Sequence, residues 1–325
     1  MRPILGLGLS GCALCAWAEW YSAEATAMTT RIGVEFWTEK PETAPALAEA
    51  VFAEMRRIED LMSSYRPKSV LSKLNSEAAK AAFSPGSELF GLIQQAQAIS
   101  KLSDGAFDIT FSSAGVLYDY RKHQRPDSTA LEAAVRLIDY RKIEMDPDKG
   151  TVHFLMAGMR VDLGGIAKGY AVDRGVGILQ AAGIQHARVS AGGDMRLLGD
   201  RRGKPWVLGV KDPRSDGGEK SESAVILPLA DTAISTSGDY ERFFMEGEER
   251  VHHIISPKTG RSASALQSVT ILGPDATATD GLSTAVFVMG LEKGLALIDR
   301  LPGVDAILID QNHRLHYSKG LAPPN

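Results

Sequence analysis

The chain predicts an α+β fold of mixed, largely antiparallel sheets packed with helices. Three observations carry this expectation. Strand-like and helix-like stretches mix without the strict alternation of a doubly wound parallel fold. Two turn-rich loops, Asp146-Pro147-Asp148-Lys149-Gly150 and Glu246-Gly247-Glu248-Glu249, lie between short apolar runs, as in β-hairpins. Finally, Val161 to Arg174 (VDLGGIAKGYAVDR) reads as an apolar strand end, a glycine turn and a helix.

With 325 residues, 44% of them apolar, the chain can bury a full core as one large domain or two fused halves. Thirty-six Lys and Arg against 40 Asp and Glu leave a net charge of −4 and no long basic tract, which excludes nucleic-acid binding by charge alone. Residues 1–18 read as an export signal: an early Arg2, an apolar run from Ile4 to Trp17, and small residues at Ala16 and Ala18. Cleavage after Ala18 would release a soluble protein, and this is the favoured outcome. The alternative is a lipobox, Leu9-Ser10-Gly11-Cys12, which would leave Cys12 acylated and tie the chain to a membrane by lipid. Both cysteines, Cys12 and Cys15, fall in this segment, so a chain cut after Ala18 has no thiol chemistry.

In order, Arg31 to Trp37 alternates like a half-buried strand, and Leu47, Val51, Met55, Ile58 and Met62 set one apolar stripe on a long helix. Arg66-Pro67 prevents its continuation past Tyr65, which is either a ring at a cleft or an ordinary helix-end aromatic. A second helix is expected over 87–102, ended by Asp104-Gly105. Asp108, between Phe107 and Ile109, leans toward a surface position on residue type alone. A short helix at 130–138 precedes a hairpin of 143–145 with 151–154.

The central helix is expected from Ala167 to Ala182, stopped by Gly183. Gly164 and Gly165 allow a close backbone approach, and the helix N-terminus favours an anion; packing is the competing account of the same turn. Strand 186–190 is broken by Ala191-Gly192-Gly193-Asp194, where a bulge is favoured over a tight turn or a second approach to ligand. Further strands are expected at 206–211, 224–229, 232–236, 243–245, 251–255, 267–272, 306–309 and 315–317. His252 and His253, adjacent on one arm, would point to opposite faces and not share a metal. A helix beginning at Thr279 sets Asp280 and Thr284 side by side, as two hard oxygen ligands for Mg²⁺ or as cap and packing residues. Leu291 to Arg300 makes the last helix.

Together these stretches resemble the ApbE family, the FAD:protein FMN transferases of bacterial envelopes. The carriers are Ser63-Ser64-Tyr65 with Leu74-Asn75, Asp104 to Thr110, Asp162 to Asp173, Ala191 to Asp194, Ser237-Gly238-Asp239-Tyr240-Glu241-Arg242, His253 to Gly260, and Asp280 to Thr284. The resemblance implies an ApbE-like domain over 28–320. It implies FAD as substrate, held by Met28, Tyr65, Ala106, Phe107, Asp108, Asp162, Lys168 and Ile254, and Mg²⁺ bound by Gly165, Asp280 and Thr284. His253 would be the base that takes the proton of an acceptor hydroxyl; by residue type alone it is an ordinary strand histidine. The implied partner is a redox protein presenting a Thr or Ser, in the periplasm or at the inner membrane.

Four departures mark a divergent subgroup. Met28-Thr29-Thr30 stands where the family has Met-Gly-Thr, Ser190 replaces an Asn, Ser256 replaces an acid, and Phe111 to Gly115 differs from the common Val-Gly-Pro type. The same parts would also serve an FAD pyrophosphatase, or a flavin-binding protein without turnover.

Overall fold

Eight strands pair edge to edge, each antiparallel to its neighbour, and helices pack against them. This computed structural model describes residues 18–215 and 222–321; residues 1–17 of the expected leader, with Cys12 and Cys15, lie outside them. The chain starts with strands β1 (Glu19–Ala27) and β2 (Thr30–Thr38), then helices α1 (Ala44–Met62), α2 (Val70–Glu77), α3 (Ser87–Leu102), α4 (Ser112–Gly115) and α5 (Ser128–Val135). A hairpin of β3 (Ile143–Asp146) and β4 (Thr151–Phe154) leads to α6 (Ala167–Ala181), β5 (Ala187–Ala191) and β6 (Asp194–Leu198). Two more hairpins, β7 (Trp206–Lys211) with β8 (Ser223–Leu229) and β10 (Phe243–Glu246) with β11 (Glu249–His252), flank β9 (Ala233–Gly238). The chain closes with β12 (Leu266–Gly273), α7 (Ala276–Met289), α8 (Leu291–Ile298), β13 (Asp305–Asp310) and β14 (Leu315–Tyr317).

The large sheet runs β1-β2-β5-β6-β9-β12-β13-β14. On β2 the alternation puts Ile32, Val34 and Phe36 inward, opposite Ala191, Val189 and Ala187 of β5. Against this face lie Val51, Met55 and Ile58 of α1 and Ala171, Val172 and Leu179 of α6, forming the larger core. A second core joins β12 and β13 to α8 and one side of α7. Helix α7 feeds both, sending Ala276 and Ala285 into the first and Leu282, Val286 and Phe287 into the second.

Several expectations are corrected here. Val161-Asp162 is not the end of a sheet strand; the Asn75 side chain stands in for a strand partner, accepting from the Val161 amide at 2.7 Å and donating to its carbonyl at 2.9 Å. Ala191 pairs with Asp194, so Gly192-Gly193 is a two-residue turn, with Gly192 at φ 61°, and not a bulge. Helix α7 starts at Ala276, because Asp275 accepts from the Ala278 amide at 2.8 Å and caps it. Thr279 and Asp280 therefore lie inside the helix. The 251–255 arm is shorter, ending at His252. No helix among the described residues is long and apolar enough to cross a membrane.

Candidate active site

Helices α6 and α7 cross at Gly169. A methyl group there would collide with the Ala276 carbonyl and come within 2.8 Å of the Asp280 Cβ. The glycine thus brings two backbones into contact, and its amide donates to Asp280 Oδ2 at 3.0 Å. One residue earlier, Lys168 Nζ makes a short ion pair with Asp194 and reaches Asp280 Oδ1 at 3.5 Å. Asp173, one turn on, accepts from the amides of Ala276 and Thr277 at 2.9 and 2.8 Å and so ties α6 to the start of α7.

The glycine corner lies beside these groups. A Cβ on Gly165 would stand 3.2 Å from both Thr284 Oγ1 and the Phe107 ring. Neither Gly164 nor Gly165 has a positive φ, so they serve close approach and not an unusual turn. Asp162 accepts from the Gly164 amide at 2.7 Å and from the Ser64 hydroxyl. Next to Ser64, Tyr65 is 80% exposed.

His253 follows β11, its amide donating to the Arg242 carbonyl at 3.1 Å. Its Nδ1 is buried with no hydrogen-bond partner. Burial, then the Arg242 charge, lowers its pKa to about 3, so the ring is neutral near neutral pH. The neighbouring His252 does a different job. Its Nε2 meets the Ala263 carbonyl at 2.8 Å and its ring packs edge-on against Phe287. Arg242 Nη2 donates to Thr29 Oγ1 at 2.6 Å, beside Met28 in the turn between β1 and β2.

Asp280 is 3% exposed. Burial and then Asp194 raise its pKa, with Lys168 opposing. Burial works against the charge on Lys168, but Asp194 and Asp280 outweigh it and hold the ammonium protonated. The Ala167 and Gly169 amides are taken by the Leu163 carbonyl and Asp280, so the cation offered to an anion here is chiefly Lys168 and the helix dipole. A divalent cation fits the donor chemistry: Asp280 Oδ1 keeps one long contact, and the Thr284 hydroxyl abuts the Gly165 corner. Among the described residues no three His, Cys, Asp or Glu side chains form a metal cluster; a set of Asp280, the Thr284 hydroxyl and the Gly165 carbonyl would contain only one such side chain.

Contacts thus join Lys168 to Asp280, Gly165 to Thr284 and Phe107, and Asp162 to Gly164 and to Ser64 beside Tyr65; Arg242 separately joins His253 to the Met28 turn. Asp108 differs from the surface expectation. It is buried, with Oδ1 taken by the Thr110 amide and hydroxyl at 2.8 and 2.6 Å and Oδ2 by the Tyr140 amide at 2.9 Å. Its carboxylate ties the turn that follows Phe107 to Tyr140. Ile254 puts its side chain into the second core. The sequence alone gives Asp194 and Arg242 no role: their partners are 26 and 213 residues away, and no local pattern marks them.

The model of the ApbE family matches residues 28–308. The chain is 32% identical to the FAD:protein FMN transferase of Treponema pallidum (strain Nichols), over 97% of this chain and 91% of that one. It is 32% identical to the protein of the same description from Klebsiella pneumoniae (strain 342), over 82% and 83%. Among solved structures, the ApbE protein of Thermotoga maritima superposes with a TM-score of 0.84 at 34% identity, covering 93% of this chain and 98% of that one. The flavin transferase ApbE of Vibrio cholerae gives 0.82 at 28%, with the same coverage.

Proposed function

Because the chain belongs to the ApbE family, we infer that it is an FAD:protein FMN transferase, moving the FMN half of FAD to an acceptor protein. We place the transfer on a Thr or Ser hydroxyl of a redox protein, with AMP as the leaving group. The acceptor oxygen attacks the phosphorus on the FMN side, and a phosphoester bond forms. The bond from that phosphorus to the bridging oxygen breaks, and the electron pair leaves with AMP.

His253 takes the acceptor proton on a ring nitrogen. The ring is neutral at neutral pH and so open to a proton, while its burial makes it a weaker base than an exposed imidazole. Lys168 supplies positive charge to the phosphoryl oxygens, and Tyr65 and Phe107 supply ring surface for the flavin dinucleotide. Asp162 orients the glycine corner through Gly164. Gly165, Asp280 and Thr284 would hold Mg²⁺, which when bound neutralises charge on the diphosphate.

The observation that most supports this reading is the crossing at Gly169, which brings Lys168, Asp280 and Thr284 beside the Gly165 corner. The leader read at 1–18 supports export to the periplasm, with a lipid anchor at Cys12 as the alternative.

The test is mass spectrometry of a candidate envelope redox subunit after incubation with the protein, FAD and Mg²⁺. The acceptor should gain one FMN moiety. His253→Ala should abolish the gain and leave FAD binding intact; equal transfer by the variant removes His253 from the mechanism. FMN and AMP released at the same rate without acceptor would make the protein a hydrolase.

A further inference from the structure

The turn between β1 and β2 holds Met28 at φ 52° and Thr29 at φ 60°. A two-residue hairpin asks for this conformation, but a β-branched side chain is strained in it. Such strain persists where the surroundings hold it. The β1–β2 ladder closes the turn with Ala27 opposite Thr30, and the Thr29 side chain is held by Arg242, whose guanidinium donates to its hydroxyl at 2.6 Å.

Arg242 is also tied to the other side of the site. Its carbonyl accepts the His253 amide at 3.1 Å, and its charge acts on the His253 ring, on Tyr65 and on Tyr120. Tyr120 in turn donates to the His252 carbonyl at 3.3 Å. One arginine is thus held by its side chain to a strained turn and by its backbone to His253. Glycine would relax the turn, but it has no oxygen to offer the guanidinium.

We propose that Thr29 is a positioning residue: its hydroxyl anchors Arg242 and, through the Arg242 carbonyl, fixes the main chain that carries His253. This rests on the reading of His253 as the base. A residue serving stability alone would be better as glycine. A residue serving geometry would keep its hydroxyl despite the strain.

The experiment compares Thr29→Gly and Thr29→Ser with the wild-type full chain, by thermal melting, by hydrogen exchange of the His253 amide and by flavin transfer. Thr29→Gly should melt about 2–4 °C higher. Its His253 amide should nonetheless exchange about tenfold faster, and kcat should fall about tenfold with KM for FAD unchanged. Thr29→Ser, which keeps the oxygen, should match the wild type in exchange and kcat. Unchanged exchange in Thr29→Gly, or equal losses in glycine and serine variants, would overturn the proposal. Wild-type protein that transfers no flavin while the exchange difference stands would refute the transferase reading and leave the anchor in place.

Discussion

The Gly169 amide and the Asp280 carboxylate meet at 3.0 Å where α6 crosses α7. This contact locates the acid in space, because Asp280 is buried and Gly169 leaves no room for a methyl group between the two backbones. Gly169→Ala should therefore push the helices apart. Overpacking of this kind costs about 3 kcal/mol. A denaturant melt should register that loss, and flavin transfer should fall further than stability alone explains, since Asp280 leaves the Gly165 corner.

Asp173 accepts from the amides of Ala276 and Thr277 and, at 2.6 Å, from the Thr277 hydroxyl. Asp173→Ala strips three donors at the start of the helix that carries Asp280 and Thr284. We expect a loss of about 2–3 kcal/mol by chemical denaturation. Asp173→Asn, which keeps an acceptor oxygen, should lose less.

Burial and Arg242 hold His253 below its unfolded pKa of 6.5, at about 3. Between these values the unfolded chain binds a proton that the folded chain refuses, so this residue makes folding less favourable as pH drops from 6.5 and saturates below about 3. Replacing His253 by Gln should flatten the stability profile in that window. The transfer rate at saturating substrates should show no break near pH 6.5 from this group, a result read from kcat measured between about pH 5 and pH 8. An inflection near 6.5 in the wild-type profile, together with an unflattened stability profile in the Gln variant, would show that the ring titrates normally.

Tyr65 is mostly exposed, so Tyr65→Ala should change stability by no more than about 0.5 kcal/mol. Loss of a stacking ring is worth about 1 kcal/mol, and FAD affinity should weaken by about fivefold to tenfold in a fluorescence titration. Unaltered affinity would mean that the flavin dinucleotide does not touch this ring.

What was legible in the sequence followed from local pattern. Helix α3 and strands β4 and β7 have the bounds that periodicity and turn residues indicate. Strand β1 was missed because Glu19–Ala27 is rich in small residues and follows the leader without a break. Helix α2 was missed because eight residues give little periodicity, and its start depends on Ser69 accepting from the Ser72 amide. The errors at the site share one cause. Asp108 looked like a surface acid because its partner Tyr140 lies 32 residues on, and Val161 looked like a strand end because its partner is the Asn75 side chain, 86 residues back. Such pairings exist only after folding. The glycine corner and the spacing of Asp280 and Thr284 could be read early because each needs only its own neighbours.

Helix α7 contributes to both cores, and it is also the helix of Asp280 and Thr284. These two side-chain oxygens thus ride on a shaft clamped between two oily masses. A repacking of either mass, made far from any substrate, turns or slides that shaft by fractions of an ångström. Loss of catalysis should therefore precede unfolding on heating, and adaptation to a new temperature would leave its mark in the greasy residues behind the helix before it touched the chemistry in front.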